Sequence, residues 1–193
     1  MVTHAELVSA FGSDWVETMP PEVAERHFGD PEDRRVLTEV GLPGSLMEVL
    51  FFGDLGTEQP RTIAQVLDIG EPGSDPPDIE DDIVIVNSIG GLACLSQAEH
   101  HIYWYKPGDE KRNRALINSS LELFVETLYR VWLRLKDLNL EYASYDEESP
   151  AEIGAELRRL VAEICDIDPP SFESPVMYWQ HVLLFALKLI AEE

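Results

Sequence analysis

Between residues 83 and 117 the chain runs through short β-branched and aromatic segments separated by turn residues, and from residue 119 its apolar spacing becomes that of a helix. This change of period restricts the fold more than any other feature. Strands are predicted at about 47–52, 83–87, 92–96, 101–106 and 114–117. The turns Ile89–Gly90–Gly91 and Lys106–Pro107–Gly108–Asp109 are short enough to join neighbours as antiparallel hairpins, with Gly90 and Gly91 free to take a positive φ. The sheet is therefore a meander. Segment 61–67, RTIAQVL, suits a short helix or a strand equally.

Helices flank the sheet in sequence. Thr3 with Glu6 opens one helix, which Gly12 can close; Asp30, Pro31 and Asp33 open another, ended by Gly41 and Pro43. Ser119 and Glu122 have capping-box spacing, and Leu121, Phe124, Val125, Leu128, Trp132 and Leu135 follow on one stripe. Ser149, Pro150 and Glu152 open a fourth helix with Leu160 and Ile164 on its apolar face. Ser174 and Pro175 open a last one, from Val176 to about Ala191, apolar on most sides. The expected fold class is α+β: an antiparallel meander sheet of five to six strands packed with N-terminal and C-terminal helices. A length of 193 residues fits one domain, with a helical part at 1–45, the sheet at 46–117 and helices at 119–193.

Charge narrows the partners. Against 14 Lys and Arg stand 37 Asp and Glu, a net charge of −23, so the field repels phosphate backbones and anionic lipid and attracts basic surfaces. Direct nucleic-acid binding is not expected. Segment 68–82, DIGEPGSDPPDIEDD, holds seven acidic residues, three prolines and no base, and reads as an exposed loop. Within it Glu80, Asp81 and Asp82, and further on Asp146, Glu147 and Glu148, are candidate contacts for a basic partner; a plainly solvated surface is the competing reading. No basic segment precedes an apolar one at the N-terminus and no 18 consecutive residues are apolar, so no membrane span and a cytoplasmic location are expected. Cys94 and Cys165 read as buried thiols.

No catalytic motif accompanies these features. Gly90–Gly91 lacks the spacing of a phosphate loop, no GxSxG elbow occurs, and neither HExxH nor CxxC is present. His100 and His101 are neighbours on a predicted strand and point to opposite faces, so a metal site would need ligands converging from distant segments. No metal, no cofactor and no enzyme activity are expected. Along 101–105 the faces alternate: with Ile102 and Trp104 inward, Tyr103 and Tyr105 stand on the opposite face, either as an interface or as core beneath a second layer.

The order of these elements, with several local phrases, resembles the SUKH superfamily and within it the fourth subfamily of bacterial immunity proteins. The most telling phrase is ALINSSLELFVETL at 115–128, in which Asn118, Ser119, Ser120 and Phe124 match the family's passage from a last strand through a cap into a helix. IVIVNSIGGLACLSQAEHHIYWY at 83–105 is similar to its hairpins, and VGLPGSLMEVLFF at 40–52 to its first strand. The chain departs from the pattern at Gln97–Ala98–Glu99, where glycine is frequent, and at Tyr178–Trp179, where a Trp pair is common. The resemblance implies a non-enzymatic protein that protects a bacterium by binding a cognate toxin, often a nuclease. Other branches of the superfamily imply an alternative, a general interaction or regulatory module without a toxin.

Overall fold

In the computed structural model, the described residues are 1–46, 50–52, 60–66, 81–88, 91–106, 114–137, 150–173 and 178–183. Their backbone forms an α+β arrangement around a six-stranded antiparallel sheet whose spatial order is the chain order, β3-β4-β5-β6-β7-β8. The strands are β3 (Ser45–Leu46), β4 (Leu50–Phe52), β5 (Ile83–Ser88), β6 (Gly91–Leu95), β7 (Ile102–Tyr105) and β8 (Arg114–Asn118). Ser88 pairs with Gly91 where β5 meets β6 in antiparallel register, and positions 89–90 lie outside the described residues. Of the strand expected at 47–52, Leu50–Phe52 form β4, paired antiparallel with a further short strand, β3, that precedes the expected range; positions 47–49 lie outside the described residues. Before the sheet, β1 (Val16–Glu17) and β2 (Leu42–Pro43) form a separate antiparallel pair that no local sequence signal marks.

The N-terminal helices are α1 (His4–Phe11), α2 (Pro21–His27) and α3 (Pro31–Arg35), and α3 continues as a π-helical turn over Val36–Val40. Thr3 and Glu6 make the expected capping box, and Asp30 accepts from the backbone N–H groups of Glu32 and Asp33. Gly41 closes the π-turn at φ 86°, where a Cβ would also lie 2.5 Å from the Glu17 carbonyl oxygen. The open choice at 61–67 resolves to a one-turn helix, α4 (Ile63–Val66), with Thr62 bridging to Ile83.

After β8 come α5 (Leu121–Asp137), α6 (Pro150–Ile167) and α7 (178–183). The α5 stripe falls where its spacing predicts: Leu121, Phe124, Val125, Leu128 and Leu135 are buried, while partly buried Trp132 stacks on Phe11 of α1 and donates to the Ala10 carbonyl at 2.8 Å. One core is shared by the N-terminal segments, the inner sheet face and the C-terminal helices. From the sheet it takes Ile83, Ile85, Val86, Ala93, Leu95, Ile102 and Ile117, and from α6 and α7 it takes Leu160, Ile164, Tyr178, Trp179, Val182 and Leu183.

The passage from β8 into α5 departs from the expected capping box. The cap is Ser120, whose Oγ accepts from the Leu123 N–H at 3.1 Å. Ser119 donates instead, through both its N–H and its Oγ at 2.7 Å, to the buried carboxylate of Asp168, and Asn118 donates to the same carboxylate at 2.9 Å. Asn118 in turn accepts from the Trp179 indole at 3.1 Å. With Ser120 as the cap, Glu122 stands at the second helical position rather than the third, and its carboxylate pairs instead with Arg35 of α3, 2.6 Å distant.

Candidate protein-binding surface

The sheet has an outer face, turned away from the shared core, and among the described residues only part of it is covered. Register places Val84, Cys94, Tyr103 and Leu116 in one row across β5, β6, β7 and β8. Helix α4 covers one end of this face, where Ile63 packs with Leu92, Cys94 and Tyr105. Tyr105, expected among the partner contacts, is therefore 4% exposed and belongs to this small second core. Ile102 and Trp104 face inward as alternation requires, and Tyr103 is half-buried at the other corner with partly exposed Leu116 and Arg114.

Tyr103 is tightly held there. Its hydroxyl donates to the Glu99 carboxylate, Arg114 stacks over its ring at 4.2 Å, and Arg114 Nη2 lies 2.8 Å from Glu99 Oε1. His101 Nδ1 lies 3.2 Å from the same hydroxyl. Hydrogen bonding from Tyr103, with the Arg114 charge nearby, holds the Glu99 carboxyl below its ordinary range, so it is a carboxylate at neutral pH. Burial, and then the hydrogen bond to that anion, pushes the Tyr103 phenol up to about 12. The corner thus presents a fixed aromatic ring, an anion and a hydroxyl that stays protonated.

The acidic candidates divide. Asp81 is exposed in the turn before β5, as expected for a loop. Asp82 is not: it is 2% exposed, bonded to the Ser96 side chain and the Gln97 backbone, and burial pushes its carboxyl up to about 6. Its backbone carbonyl also accepts from the Ile63 N–H, so the residue anchors α4. Glu80, Gly90, Asp146, Glu147 and Glu148 lie outside the described residues, as do positions 68–80 and 138–149 of the two acidic segments.

Gly91 has no positive φ; the glycine is needed because a Cβ would fall against the Trp104 indole and 2.7 Å from the Tyr105 carbonyl oxygen. Asn118, Ser119, Ser120 and Phe124 serve structure: three of them form the strand-to-helix junction, and Phe124 is fully buried with its ring 5.8 Å from that of Trp179. Glu99 and Arg114 escaped sequence reasoning because they meet Tyr103 only across the β6–β7 turn and the diagonal of a strand pair. Cys94 is buried and free, its thiol pushed up by burial, whereas Cys165 is free but only partly buried.

No helix among the described residues is long and apolar enough to cross a membrane. No curated protein and no solved structure matches the chain. A family profile described as SUKH-4 immunity protein matches residues 2–185, from the approach to α1 through α7. The chain belongs to the SUKH-4 immunity protein family, whose general role is toxin neutralisation through a protein partner.

Proposed function

We propose that this chain neutralises a basic toxin by non-catalytic binding, with the Tyr103 corner as the anchor and the acidic segments 68–81 and 137–149 as its steering rim. The observation that carries this reading is the juxtaposition of a half-buried, fixed tyrosine with the Glu99 carboxylate on a chain of net charge −23. A tyrosine already held by a carboxylate and a guanidinium gives up little freedom on binding, and tyrosines of this kind concentrate interface energy. A nuclease fits as the toxin, since a surface shaped to attract phosphate also attracts carboxylates. The cytoplasm, where such a toxin would act, is the compartment this role calls for.

The test is binding of the toxin encoded beside this gene to wild type and to Tyr103→Ala. The variant, checked for native circular dichroism, should bind at least tenfold more weakly, about 1.4 kcal/mol. Equal affinity moves the contact surface elsewhere. A neighbourhood without a toxin gene, together with capture of an endogenous regulatory protein, supports the general interaction module instead.

A further inference from the structure

The turn between β6 and β7 carries His100 at φ 59°, not on the strand as its sequence suggests, and aims its imidazole at the start of α3. There Nδ1 lies 3.2 Å from Oδ2 of Asp33, a carboxylate only 5% exposed. Asp30 completes the group: the ligand atoms of Asp30, Asp33 and His100 all lie within 4.8 Å of one another. Ligands on one cation at about 2.0–2.2 Å span roughly 4 Å, so small side-chain adjustments bring all three onto a single ion.

We propose that Asp30, Asp33 and His100 bind one zinc-class divalent cation that clamps α3 to the β6–β7 turn. Two carboxylates and a neutral imidazole neutralise a divalent charge, and the imidazole selects zinc-like ions over magnesium and calcium. Asp30 is already oriented for the role: Oδ1 accepts from the N–H groups of Glu32 and Asp33 at 2.8 and 3.1 Å, leaving Oδ2 for the ion. His100 is 42% exposed at its side chain and opens the route from solvent. Asp33 and His100 lie 67 residues apart in sequence, so the ion would join segments that no local motif connects.

Titration calorimetry of the chelator-stripped full chain with zinc chloride tests the site, in millimolar magnesium to occupy the diffuse acidic surface. The expected result is one equivalent bound at micromolar or tighter Kd, with the thermal midpoint raised by a few degrees at saturation. His100→Gln and Asp30→Asn, checked for native circular dichroism, should each weaken binding at least tenfold; the asparagine can still cap α3. Two variants guard against one that fails to fold. Absence of saturable zinc binding by wild type overturns the proposal, as does binding that neither substitution weakens.

Discussion

Asp168 ties the strand-to-helix junction of β8 and α5 to the end of α6. Its carboxylate, 1% exposed, receives Asn118 and two donors of Ser119, while its backbone carbonyl accepts from both the N–H and the Oγ of Ser171. A buried anion is tolerable when hydrogen bonds replace its water, and removing it leaves several donors without partners. Asp168→Ala should therefore destabilise by about 3 kcal/mol or more in urea unfolding; a change below about 1 kcal/mol, the range of ordinary surface sites, contradicts this role. The Asn-Ser-Ser phrase was legible in sequence, but its purpose was not, because the partner of Asn118 and Ser119 lies some 50 residues downstream and meets them only once α6 is packed. Asp82 supplies a second prediction at this scale. Its carboxyl, raised from 3.8 to about 6, holds its proton more tightly in the folded than in the unfolded state. The stability this provides is full below about pH 4 and is lost as pH rises through 6, so going from pH 7.5 to pH 5 should regain about 1.4 kcal/mol. Unfolding of Asp82→Asn at the two pH values should lack that increment, and an equal increment in both proteins would refute the assignment.

At the scale of elements, the clearest predictions follow from close packing. Phe124 is fully buried against Trp179 between α5 and α7, so Phe124→Ala should lower stability by about 3–5 kcal/mol in denaturant unfolding. A change below about 1 kcal/mol would mean that α5 presents another face. Gly91→Ala should lower it by about 1–3 kcal/mol, since the added methyl must displace the Trp104 indole or the β7 backbone; an unchanged denaturation midpoint would contradict that contact. The elements the sequence announced are those with a strong local signal: the α1 capping box, the Asp30 cap, the α5 stripe and strands β5 to β8. Those it did not announce have none. Helix α2 starts at a proline without a side-chain cap, and β1 and β2 are two residues each, held by pairing between positions 16–17 and 42–43. Alternation placed Tyr103 and Tyr105 on one face correctly, yet which of them α4 covers depends on how residues 61–66 fold back, a tertiary fact. Likewise the Asp81–Asp82 run looks uniformly solvated until β5 begins and draws Asp82 inward to Ser96.

For the molecule as a whole, charge and surface together set the expected behaviour. An excess of 23 negative charges acts at long range on the rate of encounter, while Tyr103 acts at contact on the lifetime of the complex. Amides at Glu80 and Asp81 should slow association with the toxin at low salt, with the difference fading near 0.5 M salt, where the Debye length is only a few ångströms. Equal rates at low salt would leave that segment a solubilising surface. The chain is expected to silence its toxin by binding it, and inhibition measured directly tests this. With the toxin's own activity as readout and the purified chain added in increasing amounts, activity should fall to background near stoichiometric addition, and Tyr103→Ala should need at least tenfold more protein when assayed near the dissociation constant. A toxin that keeps full activity in a large excess of the folded wild-type chain would contradict the account.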